Sequence, residues 1–219
     1  MTVNSLGESF AYPFRSPGWA GKMLLQGLIA LIPIIGWIAM TGWLMLAYEN
    51  ARAGRRELPP AGFHLGRGIE IFLVFFIYGF VLSIPALILY TAGGIASGTG
   101  STHGFNAGSP LTSLGFLWSF LAGLFLNFLV PSLMVNTYRR GFAGGMDVAR
   151  VWRLARANLT NSVSAGVIVW VASIIGTFGL ALCFFGIIFT VPYQNAIQAA
   201  VAAWFEQAQP AQPTAVAPA

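Results

Sequence analysis

The chain has 219 residues, a length for one domain or at most two. Hydrophobic residues make up 57% of it and charged residues 8%, against about 45–50% and about 25% in soluble domains. Eleven basic and six acidic side chains are too few to clothe a soluble surface of this size. The same composition excludes a disordered chain, a fibrous repeat and a disulfide scaffold, and a polytopic membrane protein remains.

The charges leave three uncharged blocks, 23–48, 71–138 and 157–205. A charge at the bilayer centre costs about 2.5–3.5 kcal/mol even on the lenient insertion scale, and one span takes about 20 apolar residues. Blocks of this length are therefore what membrane helices require. Residues 1–15 form an N-terminal cytoplasmic segment. With Glu8, Pro13 and Pro17, the first 20 residues lack the apolar run of a cleavable signal peptide.

Block 23–48 has two readings, because Pro33 and Gly36 fall in its middle. It is one tilted helix, or a hairpin of two short helices over about 17–32 and 36–52, since proline removes a helix hydrogen bond and disfavours helix just before it. In the hairpin, Lys22 snorkels towards the headgroups. Residues 55–60, Arg-Arg-Glu-Leu-Pro-Pro, read as a stiff turn, and 61–70 as a weak interfacial helix. Spans follow at 71–92 and at 111–136, separated by a Gly/Ser-rich loop over 93–110.

Residues 147–159 have helical periodicity. Val148, Trp152, Ala155 and Leu159 form an apolar stripe, with Arg150, Arg153 and Arg156 opposite and Asp147 at the N-terminal end, where a carboxylate suits the helix dipole. Such a helix lies in the interface and offers its arginines to anionic headgroups. Thr160 is read as the cap of the next helix. Two last helices, about 160–175 and 186–206, are joined by an apolar turn in 176–186. The tail 207–219 is expected to be disordered, which leaves 16–206 as the transmembrane domain.

These elements predict an all-α polytopic transmembrane bundle of about six membrane helices plus one or two interfacial amphipathic helices. Six helices put all eleven Lys and Arg on one side, whereas five leave nine against two. Six thus satisfies the positive-inside rule without exception and places both termini in the cytoplasm of a multi-pass cell-membrane protein. Whether 17–52 is re-entrant stays open.

The chemistry-bearing residues are few: two His, one Cys and six carboxylates. His64 and His103 fall on opposite sides, and Cys183 sits in an apolar turn with no basic neighbour. No catalytic, cofactor or metal site is expected, and no enzyme. Gly18 to Met23 resembles a phosphate loop only faintly and lacks the preceding strand. The arginines follow membrane boundaries, so nucleic acid is not expected as a partner. Candidate lipid-headgroup contacts are Arg150, Arg153 and Arg156. Candidate polar residues inside the membrane are Asn127, Tyr193, Gln194, Asn195 and Gln198, near helix-interrupting Pro131 and Pro192. Ionisable groups, which coupled carriers place in their spans, are missing from these blocks. The leading expectation is a non-enzymatic membrane scaffold or accessory subunit, with a passive permease or channel-like carrier for a small or amphipathic solute as the alternative. Expected partners are membrane lipids with anionic headgroups on the cytoplasmic side, together with a homo-oligomer or a partner membrane subunit.

Several stretches resemble an uncharacterised prokaryotic membrane family, the domain of unknown function numbered 4013. They are Leu31-Ile-Pro-Ile-Ile-Gly36-Trp37 leading to Gly42 and Glu49-Asn-Ala-Arg-Ala-Gly54; Glu57-Leu-Pro59; Phe142 and Asp147-Val-Ala-Arg-Val-Trp-Arg-Leu154; and Phe189-Thr-Val-Pro-Tyr193. The resemblance spans about residues 14–206. It implies a multi-helix integral membrane protein and supplies no activity, substrate or catalytic residue.

Overall fold

A computed structural model describes residues 5–96, 110–181 and 183–209. Residues 97–109 of the Gly/Ser-rich loop, including His103, residue 182 in the last turn, the side chain of Cys183 and the tail from 210 lie outside the described residues. The elements, all helical, are α1 (Glu8–Ala11), a 3-10 turn (Pro13–Arg15), α2 (Trp19–Ala30), α3 (Ile35–Arg52), α4 (Leu65–Ala96), α5 (Pro110–Met146), α6 (Val148–Ala157), α7 (Leu159–Ala181) and α8 (Cys183–Ala208). The all-α class is as expected.

Helix α8 is the axis of the bundle. It packs against α1, α2, α3, α5 and α7, and Ala196, Ile197, Ala199, Ala200, Val201, Ala202 and Ala203 along it are fully buried. Small side chains let surrounding helices approach closely, which is how helices associate where lipid supplies no hydrophobic drive between them. Gly27 of α2 marks one such approach, since a Cβ there would collide with the carbonyl of Ile188 on α8. Pro192, four residues on, has no N–H to offer that carbonyl in the helix ladder. The α4–α5 pair flanks this core and turns large apolar side chains outward, including Phe76, Phe80, Leu87, Ile88, Leu117 and Phe120.

Among the described residues three helices, not six, are long and apolar enough to cross a membrane: Leu65–Ile95, Pro110–Met146 and Leu159–Gly179. The residues of block 23–48 do form a hairpin, turning at Leu31–Ile34 with Ile34 held at a positive φ of 64°. Yet α2 has 12 residues and α3 has 18, giving about 18 and about 27 Å at 1.5 Å each, short of a hydrocarbon core of about 30 Å. The irregular segment 55–64 also folds back along this hairpin. The Lys22 ammonium donates to Leu58 O at 2.9 Å and to Ser16 Oγ at 3.1 Å. Gly62 N donates to Gln26 Oε1 at 2.9 Å, and Trp43 Nε1 to Pro59 O at 3.2 Å. Irregular backbone with Arg55, Arg56 and Glu57 exposed beside it is not tolerated against lipid tails. The third missing candidate, α8, has length enough, but Tyr193, Gln194, Asn195 and Gln198 dilute its apolarity and protein surrounds it.

Two further expectations change. No separate helix forms over 61–70, because 55–64 is irregular and α4 begins at Leu65. The α7 cap is Asn158, whose Oδ1 accepts from Asn161 N at 3.2 Å, rather than Thr160.

Gly27→Leu is expected to lower stability by about 1–3 kcal/mol through overpacking against α8, read as a lower thermal midpoint in detergent. Gly21 lies on the same helix with open space around it, so Gly21→Ala should leave the midpoint unchanged or raised.

Candidate functional site

The charged end of the bundle is organised by Glu206, near the end of α8. Its side chain is 7% exposed. Arg52 of α3 reaches it at 2.7 Å, and Arg139 of α5 binds its Oε1 through Nε at 3.0 Å and Nη2 at 2.7 Å. The Tyr48 hydroxyl donates to Oε2 at 2.6 Å. Burial, reinforced by this carboxylate, pushes the Tyr48 phenol well above its ordinary range, so the phenol keeps its proton and remains a donor. The Arg52 guanidinium also lies 5.3 Å from the ring centroid of Tyr138, which meets Tyr48 edge to face. Neighbouring ties fasten the same end. Arg67 of α4 pairs with Glu49 of α3, and Asn161 of α7 donates to Ala208 O at 3.2 Å. Nothing in the spacing of single charges along the chain marks Glu206 as this hub; its position at the end of a long uncharged block was the only signal available.

Just beyond Arg139 and Arg140 the helical ladder of α5 breaks at Gly141 (φ 65°, ψ −159°), a conformation that costs a side chain with a Cβ. The chain then turns into α6. Asp147 caps α6, accepting from Arg150 N at 3.0 Å and from its Nε at 3.1 Å. The backbone N–H and the guanidinium of Arg150 hold the Asp147 carboxyl below the usual carboxylate range. Against α5 and its neighbours α6 buries Val151, Leu154 and Ala155. The expected stripe of Val148, Trp152, Ala155 and Leu159 is therefore rotated. Ala155 is inside, whereas Val148 and Trp152 line an apolar groove of about 380 Å³ with Ile77, Tyr78, Phe125 and Leu129.

The three candidate headgroup arginines separate. Arg150 and Arg153 join Arg139 and Arg140 around a polar cleft of about 490 Å³, floored by Asn136, Leu154 and Ala157. Arg156 lies apart, its guanidinium 5.5 Å from the Trp152 ring centroid. Arg139 and Arg140 enter the cleft because the Gly141 break folds α6 back beside the end of α5, which a linear reading of two separate arginine clusters does not reveal.

Of the polar candidates inside the bundle, two meet and three do not. Asn127 and Gln194 are linked through Ser173, a residue the sequence did not single out. Its Oγ donates to Asn127 Oδ1 at 3.0 Å and lies 3.4 Å from the donating Gln194 Nε2. Gly176 gives Gln194 the room to lie against α7, since a Cβ there would strike its Oε1. Tyr193 points away and donates to Phe10 O at 3.1 Å. Asn195 bonds its own helix at Val191 O, 2.8 Å away, and Gln198 is buried. Between α5 and α7 a groove of about 450 Å³ is lined by Ser119, Asn127, Ser173 and Thr177 among Phe120, Trp170 and Phe178. Each of those four polar side chains is engaged within the chain: Ser119 Oγ donates to Gly115 O at 2.9 Å, Asn127 Nδ2 to Gly123 O at 2.8 Å, and Thr177 Oγ1 to Ser173 O at 2.9 Å. Among the described residues no three His, Cys, Asp or Glu side chains gather as a metal site would require.

The family model described as "Protein of unknown function (DUF4013)" matches residues 25–185, a stretch narrower at both ends than the resemblance read from the motifs. No curated protein and no solved structure matches the chain.

Glu206→Gln strips two guanidiniums of their counter-charge and is expected to cost about 1.5–3 kcal/mol, the range for hydrogen bonds to charged groups. Tyr48→Phe removes one donor and should cost less. Thermal or denaturant unfolding in micelles ranks the two, and a silent Glu206→Gln would show that Glu206 does not hold the three helix ends together.

Proposed function

The chain belongs to the DUF4013 family, and we propose that it is a non-enzymatic integral membrane scaffold or accessory subunit, held in the cell membrane with both termini in the cytoplasm, α8 bringing the chain back to the end where α7 begins. The observation that carries this reading is the state of the polar groups within the bundle. Asn127, Ser173 and Gln194 bond one another across α5, α7 and α8, and the groove beside them has its hydroxyl and amide groups already engaged. A solute pathway needs donors and acceptors free to replace the water a solute sheds. Interhelical bonds in a bundle serve association instead, at about 0.6 kcal/mol each on average. The apolar groove walls suit lipid chains or the helix of a partner subunit, and the arginine-rich end suits anionic headgroups of the cytoplasmic leaflet.

Proteoliposomes holding the full chain are expected to pass small solutes no faster than protein-free vesicles. Asn127→Leu combined with Gln194→Met should leave that baseline unchanged and lower stability by about 1 kcal/mol, two interhelical bonds at the average value. Flux above the baseline that the pair abolishes would favour the passive carrier instead. Orientation is read by an impermeant thiol reagent on intact cells in a Cys183→Ala background. A cysteine at Ser101 should react and one at Ala53 should not; the reverse pattern discards the orientation.

A further inference from the structure

We propose that the cleft between the end of α5 and α6 is a phosphate-binding site, built by Arg139, Arg140, Arg150 and Arg153 and filled by an anionic phosphate group. The proposal rests on the reading of the chain as a membrane protein whose charged end faces anionic headgroups, and it specifies the group bound and the residues that bind it.

Charge comes first. Four guanidiniums surround one cavity of about 490 Å³. Two of them have carboxylate partners: Arg139 binds Glu206 and Arg150 binds Asp147. Glu206 is shared further with Arg52, and Asp147 is committed to capping α6. Arg140 and Arg153 make no ion pair or hydrogen bond among the described residues. The cleft thus holds two guanidiniums with no carboxylate bonded to them, Asp147 acting on Arg153 only at a distance, and an anion among the four would offset their mutual repulsion. Arginine is suited to this, since its planar fork offers paired N–H donors matching phosphate oxygens.

Geometry comes second. The two partnered arginines are held by their carboxylates, so the cleft wall is set before any ligand arrives. The Gly141 break fixes how α6 lies against α5, and the buried Val151, Leu154 and Ala155 fix its rotation. That rotation turns Arg150 and Arg153 into the cleft and leaves Val148 and Trp152 on a different, apolar face. A helix with one apolar exposed face and a basic one settles at the depth where headgroup phosphates lie, and basic pockets beside membrane helices hold such headgroups. Arg156, over Trp152, lies outside the cleft and serves as the internal control.

The test uses the full chain in maltoside micelles, which carry no phosphate. The thermal midpoint is titrated with inorganic phosphate and, separately, with dioctanoyl phosphatidylglycerol. Both are expected to raise it saturably. Arg140→Gln with Arg153→Gln should raise the half-saturating concentration about tenfold or more, a loss in line with two charge-assisted contacts, while Arg156→Gln leaves it unchanged. Saturation at lower concentration with the lipid names a headgroup as the source; saturation at lower concentration with inorganic phosphate names a soluble phosphate, and either supports the site. No midpoint shift with either probe overturns the proposal, as does equal weakening by Arg156→Gln. Should the Gln pair fail to fold, Arg140→Lys with Arg153→Lys keeps the charge and loses the fork. Weaker binding with an unchanged ligand-free midpoint then supports the site, and unaltered binding overturns recognition by guanidinium. Solute flux in proteoliposomes would overturn the scaffold reading without touching phosphate binding, so the two failures are distinguishable.

Discussion

The buried carboxylate of Glu206 is the contact on which the charged end of this bundle depends. One acidic side chain accepts from Tyr48 and Arg52 of α3 and from Arg139 of α5, and it does so from the last turns of the central helix. A partly buried carboxylate needs partners to offset its desolvation, and here those partners come from two other helices. Satisfying one charge therefore fixes three helix ends relative to each other. The arginine cleft inherits its position from this arrangement, because Arg139 is both a Glu206 partner and a cleft wall.

Above that end the bundle is held by a different means. The interior of α8 is alanine, valine and isoleucine, and neighbours approach through glycines such as Gly27 and Gly176. Asn127, Ser173, Gln194 and Asn195 are drawn into bonds with one another or with the backbone, whereas Ser132 Oγ, Thr137 Oγ1 and Gln26 Nε2 are buried without one among the described residues. This division, ionic ties at one end and close small-residue packing along the rest, accounts for a fold with few charges and a surface that is mostly apolar. It also explains the outward phenylalanines of α4 and α5, which a bilayer solvates and water does not.

Three helices, not the expected six, are long and apolar enough to cross a membrane among the described residues, and the reason lies in the backbone. Hydropathy along 23–48 and 186–206 is high enough to suggest spans, and proline at 33 rightly divides the first block into a hairpin. What the residue string does not show is that Leu58, Pro59 and Gly62 return to bond Lys22, Trp43 and Gln26. That polar backbone, laid along the hairpin, is incompatible with a lipid-facing crossing. Likewise, the amides of α8 are legible as an interruption, but only packing tells that protein encloses them.

The amino-acid sequence by itself determined the all-α class, the long apolar helices, the amphipathic α6 with its Asp147 cap, and the family. Each of these is written in local periodicity, in the distribution of charge or in short ordered motifs, and all act over a few turns of chain. The tertiary structure decided which side chains meet: Arg139 and Arg140 with Arg150 and Arg153, Glu206 with three donors, Ser173 between Asn127 and Gln194. Those meetings depend on the break at Gly141, on the rotation of α6 by about a fifth of a turn from its expected stripe, and on the close approach of helices far apart in sequence. Such quantities are set by the packing of whole helices against one another, and no local pattern encodes them.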